Sequence, residues 1–444
     1  MNTTNPALAG LAGLGLGPKE PTAHVEPHTI GNDDSPVIQT GPKQRPLVTG
    51  SATARTLYRI ITGERITVVK SPPGGGKTEM IVTVAAHLAN RLGLSFVIGV
   101  ARKEQGIALS HRLIQQIDPD RVVVTLNGVD QSLLPYGVLT SAVRGSKSGK
   151  GTVSVRTIAS LKMSRMEEQR LLLIDEAYQS TWEQVASAAS SFAQIVMVGD
   201  PGQIGPVVRT DTSAYERLSK PPHHPAPVVF ERHESAGTLS VDKTYRLGQE
   251  SVDAIAPLYD FPFTSGRPQR TLTNHKGRVL AEIEHIAHPE VDRSEDVDLM
   301  WAVTHRAASL VGCIQESVER DGSVTERALD QSDVAVVVAL NAQVSIVSGM
   351  LASLDMDEIT VGTADRLQGG EWAAVVALDP TAGGGAAEHN LSLGRLCVMA
   401  SRHTTHLTWV HDGSWNGTMP KVGGSKTTQL NRKVREALTA HPAS

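Results

Sequence analysis

Val68-Val69-Lys70-Ser71-Pro72-Pro73-Gly74-Gly75-Gly76-Lys77-Thr78 is the stretch around which the rest of the chain can be read. The β-branched run from Ile66 to Val69 predicts a strand that leads into the loop. Beyond the loop, Met80, Ile81, Val84, Ala85, Leu88 and Leu92 recur at helical spacing, and Gly93 stands where a C-cap belongs. The loop therefore sits at a helix N-terminus, where unpaired N–H groups and the helix dipole attract anions. Pro73 leads into Gly74, Gly75 and Gly76, which let the backbone curl around phosphates; Lys77 reaches the terminal phosphates and the Thr78 hydroxyl can ligate Mg²⁺. The pattern Gly-x-x-x-x-Gly-Lys-Ser/Thr asks for glycine at 71, where this chain has Ser71. The bland alternative is a Gly/Pro turn, but Gly-Lys-Thr between a strand and a helix favours nucleotide binding.

Composition narrows the class. A chain of 444 residues has room for two or three domains, and 40% hydrophobic with 20% charged residues is the make-up of an ordinary soluble protein. A net charge of -4 carries no global nucleic-acid signature, so any such surface must be a local cleft. Cys313 and Cys397, far apart, argue against disulfides and against a cysteine-based zinc module, which fits an intracellular, cytoplasmic location. No apolar run has membrane-spanning length, so no membrane partner is expected. Leu8 to Leu16 is apolar but glycine-rich, without a basic flank, and makes a poor signal peptide.

Residues 1–50 are rich in Gly, Pro, Thr and Asn without periodicity and read as a disordered tail. A short helix is expected over Ala54 to Ile61, then a turn and the strand before the loop. Ser95 to Val100 predicts a second buried strand, followed by Ala101-Arg102-Lys103-Glu104-Gln105 and a helix through Leu113. The basic glycine-rich run Arg144-Gly145-Ser146-Lys147-Ser148-Gly149-Lys150 reads as a solvated loop, with a nucleic-acid contact as the alternative.

Leu171-Leu172-Leu173-Ile174-Asp175-Glu176 is the second anchor. A wholly apolar strand ending in two carboxylates suits a buried parallel strand that delivers acid groups to the crevice at the sheet's carboxyl edge. Asp175 would hold Mg²⁺ through its water shell, and Glu176 would orient and deprotonate an attacking water. A third strand, Ile195 to Val198, ends in Gly199-Asp200-Pro201-Gly202-Gln203, where Gln203 could sense a γ-phosphate. Lys220 to Pro227 is a proline-stiffened connector, whose His223 and His224 read as solvent-exposed rather than metal-ligating.

A second α/β pattern follows, with strands expected at Leu299–Val303, Val334–Leu340, Ile359–Val361, Ala374–Leu378 and Leu407–Val410, and no phosphate loop of its own. Trp372 reads as a half-buried core residue and Gly383-Gly384-Gly385 as a mobile loop. From Gly413 the composition is tail-like, with a surface helix over Thr428 to Leu438.

In this order the motifs resemble a superfamily 1 helicase core, over about residues 51–412. Ser71 to Thr78 resembles motif I, Asp175-Glu176-Ala177-Tyr178 motif II and Gly199 to Gln203 motif III. Thr244-Tyr245-Arg246 resembles motif IV, Val361 to Glu371 motif V and Ser401-Arg402 motif VI. The nonsense-decay helicases and those of plus-strand RNA viruses are the nearest resemblances. The resemblance implies two recA-like parallel-sheet domains with a nucleotide cleft between them: a tail over 1–50, a first domain with a small insertion over 51–238, a second over 239–412 and a C-terminal tail over 413–444. It implies ATP and Mg²⁺ as cofactors. Arg246 and Arg402 would act as arginine fingers, Gln203 would link the γ-phosphate to the strand-binding surface, and Gly369 and Glu371 would lie against the nucleotide, Glu371 at the ribose. Single-stranded DNA or RNA is the implied partner, with Arg102, Lys103 and Thr363 as candidate contacts and 5′ to 3′ movement as the implied direction. Replication or RNA-processing proteins are the implied protein partners of a monomeric motor.

Two departures qualify the resemblance. The adenine-reading glutamine upstream of the loop is missing; Ser51, Thr53 and Ala54 stand in that region, which leaves selectivity for ATP open. The second domain has no room for a large insertion. The rival readings are a nucleotide-gated clamp that remodels a partner without unwinding, and a P-loop kinase, which the paired Asp-Glu and two candidate fingers disfavour.

Overall fold

The computed structural model describes residues 47–140, 151–163, 169–208, 210–319, 321–384, 388–419 and 424–443. The basic run at 144–150, Gly385 and the expected tail up to residue 46 lie outside the described residues. The chain divides into two compact units. The first comprises the chain up to Lys70, Lys77–Gly199 and Pro206–Ser240, and the second holds Val241–Ser444 together with the short segments Ser71–Gly76 and Asp200–Gly205.

The first unit is built on strands β1 (Ile66–Lys70), β2 (Phe96–Val100), β3 (Val122–Thr125), β4 (Leu139–Thr140), β5 (Val153–Thr157), β6 (Gln169–Ile174), β7 (Phe192–Gly199) and β8 (Ala236–Ser240). They form one sheet in the order β4-β3-β5-β2-β6-β7-β1-β8. Every pairing in it is parallel. Parallel sheets need helices on both faces, and β1 and β2 are accordingly buried along their whole length. Ile66, Val68, Leu172, Ile174, Ile195 and Met197 share one face with Ile158, Leu161, Val185 and Ala188 from the helices Ile158–Lys162 and Trp182–Ala189. Fully burying each such aliphatic side chain is worth about 1.5–3 kcal/mol. Ser51, in the region where the resemblance asks for a glutamine, caps the helix Ala52–Ile61, its Oγ accepting from the Ala54 N–H at 3.2 Å.

The second unit contains β9 (Lys243–Thr244), β10 (Thr264–Ser265), β11 (Gln269–Thr273), β12 (Val279–Leu280), β13 (Ile283–Ala287), β14 (Ile314–Val318), β15 (Val324–Ala328), β16 (Val334–Val338), β17 (Thr360–Thr363), β18 (Trp372–Leu378) and β19 (His403–His411). The strands β13-β19-β18-β16-β17, in that order, make a five-stranded sheet that is parallel throughout. Trp372 is half-buried and packs against the core beside it.

Three expectations for this half of the chain are corrected. Leu299–Val303 is no strand: it lies in the helix Val297–Leu310, capped by Asp296, whose Oδ1 accepts from the N–H groups of Asp298 and Leu299 at 3.0 and 3.1 Å. Its buried residues Leu299, Met300, Val303, Ala307 and Leu310 follow a helical repeat that a five-residue window conceals. Secondly, β12-β11-β14-β15 form an antiparallel sheet of four strands, an addition to the parallel core where no large insertion was expected. Thirdly, the helix Lys426–Leu438 is no surface helix of a tail. Val434 and Leu438 are fully buried, and Arg435 donates from Nε and an Nη to the two oxygens of Asp379, at 2.8 and 3.1 Å. Asp379 directly follows β18, so this pair ties the helix to the carboxyl end of a central strand.

Candidate functional site

In the first unit the carboxyl ends of β6, β7 and β1 lie side by side, with β7 in the middle. β1 leads into the glycine loop, and the helix Lys77–Ala86 opens with Lys77 and Thr78. β6 delivers Asp175 and Glu176. Lys77 Nζ lies 3.6 Å from Glu176 Oε1, and both side chains are largely shielded. Asp175 is buried, and its Oδ1 accepts from the Glu176 N–H at 2.9 Å. Burial, and next to it the neighbouring Glu176 charge, push the Asp175 carboxyl up to about 7, against the opposing pull of Lys77 and Arg112. Burial thus disfavours the bare carboxylate, which a proton or a bound cation would neutralise.

Glu176 itself occupies the left-handed region, with φ 51° and ψ 44°. A non-glycine residue there costs on the order of 1 kcal/mol, and such strain gathers at functional positions. This left-handed turn falls two residues after β6 ends, so the backbone leaves the strand direction at Glu176.

In the second unit the segment Ser71–Gly76 is held by residues of the Thr-Tyr-Arg motif. The Thr244 hydroxyl donates to the Pro73 carbonyl at 2.6 Å, and the Tyr245 N–H donates to the Gly74 carbonyl at 2.9 Å. Gly74 has φ +70°, and a Cβ there would lie 2.3 Å from the Arg246 Cβ, so only glycine serves both backbone and space. Ser71, the departure from the loop pattern, is buried with its Oγ where a Cβ on Gly75 would come, at 2.3 Å. The serine hydroxyl and the bare Gly75 thus fit one another.

Arg246 donates from Nε to Glu371 Oε2 at 2.9 Å and from Nη1 to the Ser401 carbonyl at 3.2 Å. Arg402 is enclosed, donating to the carbonyls of Val398 and Gly370 and to the Ser401 hydroxyl. Burial first, and then the Arg246 charge, lower the Arg402 guanidinium to about 10. The Ser401 residue therefore receives both arginines, one on its carbonyl and one on its hydroxyl.

Gln203 donates to Asp200 Oδ2 at 2.6 Å and accepts from Gln368 at 3.4 Å. Asp200 is buried and also takes the Tyr259 hydroxyl at 2.9 Å; burial and then the Asp200 charge raise that phenol well above its usual range. Thr244, Asp200, Tyr259 and Gln368 hold the loops in place, and the sequence reading assigned none of them to the site. Thr244 and Asp200 stand inside recognised motifs, which was a usable signal. Tyr259, in an ordinary apolar run, carried none.

The remaining candidates are placed as follows. Gly369 is exposed with φ +95°, between Gln368 and the Gly370 carbonyl that Arg402 binds. Arg102 and Lys103 are exposed at the carboxyl end of β2, where the helix Lys103–Leu113 begins. Thr363 ends β17 and heads the short helix Ala364–Leu367. No helix of the described residues is long and apolar enough to cross a membrane.

Residues 51–225 match the family described as the AAA domain. A comparison with curated proteins found no match. Among solved structures, the chain is similar to the Arterivirus nonstructural protein 10 helicase, at 14% identity and a TM-score of 0.45, over 82% of this chain and 63% of that one. It is also similar to the PRRSV helicase, at 16% identity and a TM-score of 0.43, over 80% and 54% of the two chains. A complex of the Arterivirus helicase with DNA matches at 14% identity and a TM-score of 0.43, over 81% and 62%. The chain spans less than two thirds of the length of these helicases. The AAA-domain match covers the segment that carries the phosphate loop and the Asp175-Glu176 pair.

Proposed function

We propose that the chain is a nucleic-acid-dependent motor that couples ATP hydrolysis to movement along a single strand. The tie between Thr244-Tyr245 and the carbonyls of Pro73 and Gly74 carries this reading: the backbone that would cradle phosphates is hydrogen-bonded to the motif that presents Arg246. Anything that shifts the phosphate loop is then felt by Arg246, Ser401 and Glu371, which is what a motor needs. Phosphoryl transfer is catalysed by positioning and charge neutralisation. Lys77 would hold the terminal phosphates and Glu176 would orient the attacking water and take its proton. Thr78 and Asp175 would hold Mg²⁺, which supplies neutralising charge on the phosphates.

Arg246 is the better finger of the two arginines. Arg402 is enclosed, and we assign it to positioning, through the Ser401 and Gly370 groups that flank Arg246 and Glu371. Gln203, held between Asp200 and Gln368, would relay the state of the nucleotide. Arg102, Lys103 and Thr363 remain the proposed strand contacts, and 5′ to 3′ the proposed direction. That one neighbouring helicase was solved with DNA favours a nucleic-acid partner.

The test is ATPase turnover with single-stranded DNA, with single-stranded RNA and with neither. Stimulation by a strand is the expected result. Turnover that ignores both strands overturns the motor, and stimulation without strand displacement leaves the clamp.

A further inference from the structure

The connector between β7 and β8 contains a convergence that the nucleotide chemistry does not use. Glu216 follows the turn Ser213–Tyr215, and seven residues later come His223 and His224. Both rings turn back onto the one carboxylate. His223 Nε2 lies 2.9 Å from Glu216 Oε1 and His224 Nε2 lies 3.6 Å from Glu216 Oε2. One ligand atom from each of the three residues lies within 4.8 Å of the others. The rings meet edge to face, with centroids 4.6 Å apart. Contrary to the sequence expectation of two exposed histidines, their side chains are only 13% and 29% exposed.

We propose that Glu216, His223 and His224 form a binding site for a zinc-class divalent transition metal. A hydrogen bond accounts for only one of the two rings, because 3.6 Å is beyond hydrogen-bond reach for His224. A metal accounts for all three groups. Zinc bonds of about 2.0–2.2 Å to nitrogen and oxygen put two tetrahedral ligands roughly 3.3 Å apart. The two observed separations bracket that value and the three ligand atoms lie within 4.8 Å of one another, so closing the site needs side-chain shifts of at most about 1.5 Å. Two imidazoles and a carboxylate are a zinc donor set that leaves a fourth position for water. Imidazole nitrogen also selects against Mg²⁺ and Ca²⁺, which favour oxygen, and so separates this site from the Thr78–Asp175 pair.

The surroundings keep the ligands in place. Pro221, Pro222 and Pro225 restrict the turn, so little conformational freedom is lost when a metal binds. The carbonyls of Pro222 and His224 accept the N–H groups of Glu183 and Trp182, at 3.1 and 2.8 Å, which satisfies orphan donors in the first turn of the helix Trp182–Ala189. A bound metal would therefore fasten the Ser213–Glu216 turn to a segment already tied to the first unit's core.

Tag-free full-length protein, stripped with a chelator and titrated with Zn²⁺ and separately with Co²⁺ in millimolar Mg²⁺, tests this. The expected result is one ion per chain, an intense visible Co²⁺ spectrum of a four- or five-coordinate site, and a rise in thermal midpoint. Glu216→Gln is nearly isosteric at a half-exposed side chain, and should weaken binding by at least about tenfold, the lower end for changes even outside a metal's ligand shell. His223→Ala with His224→Ala should abolish it while ATP turnover persists. Wild-type protein without a stoichiometric site, or Co²⁺ binding undiminished by Glu216→Gln, overturns the proposal. Should the double variant fail to fold, the Glu216→Gln titration decides alone.

Discussion

Arg246 and Glu371, separated by 125 residues, form an ion pair with Nε 2.9 Å from Oε2. Its glutamate is 59% exposed, so the pair contributes little to stability, on the scale of exposed pairs at about 0–1 kcal/mol. Its consequence is geometric: it sets the plane of a guanidinium that also donates to the Ser401 carbonyl.

Arg246→Ala should therefore fold with a loss of at most about 1 kcal/mol, yet lose at least about a hundredfold in turnover if the arginine neutralises the leaving phosphate. Arg246→Lys should restore little, because an ammonium lacks the planar fork. Steady-state ATPase and a denaturation midpoint measure the two effects; normal turnover in the alanine variant removes Arg246 from the chemistry.

Glu176 offers a contrast between stability and activity. Glu176→Gln should keep nucleotide binding, since Lys77, Thr78 and Asp175 remain, and lose most hydrolysis. Glu176→Gly removes the left-handed strain and should stabilise the fold by about 1 kcal/mol while also abolishing turnover. A glycine variant that is no more stable than wild type would show that the strain is compensated at the site.

The raised Asp175 carboxyl predicts a pH dependence in protein free of metal and nucleotide. Its folded pKa, about 7, lies above the usual 3.8, so the folded state binds this proton more tightly than the unfolded chain. The stabilising contribution is complete below about 4 and is lost as pH rises through 7. Asp175→Asn, which keeps an acceptor for the Glu176 N–H, should accordingly raise the thermal midpoint at pH 8 and lose that advantage by pH 4. An advantage independent of pH would place the cause elsewhere than in ionisation.

The buried pair of Asp379 and Arg435 makes the C-terminal helix part of the second unit's fold. Removing one partner leaves an uncompensated buried charge, and Asp379→Asn should cost about 3–5 kcal/mol in chemical denaturation. Deleting residues 426–443 should have an effect at least as large and expose Val434's partners to proteolysis. A truncated chain that unfolds at the wild-type midpoint would return the helix to the role of a tail.

Much of the fold and half of the candidate site are legible in the sequence because their causes are local. The strand before the loop, the glycines of the loop, Lys77-Thr78 and the carboxylates after the apolar strand are each written in consecutive residues, through β-branching, backbone freedom and the switch from apolar to acidic. Three of the features that the sequence misleads on share another origin. Leu299–Val303 is an apolar run that suits a strand or a buried helix equally, and the cap at Asp296 with the packing beyond it decided for the helix. The helix Lys426–Leu438 looks polar, and its burial depends on Asp379, 56 residues away. His223 and His224 acquire a shared partner only because a proline-bound turn brings Glu216 back to them. The sequence by itself determined which residues are candidates for holding phosphate, metal and water, since those are properties of side chains and short backbone runs. Tertiary structure alone decided that Thr244 holds Pro73, 171 residues away, that Glu371 orients Arg246, 125 residues away, and that the Gly370 carbonyl, 32 residues back, helps enclose Arg402, because such contacts depend on where the chain returns, which no local pattern encodes.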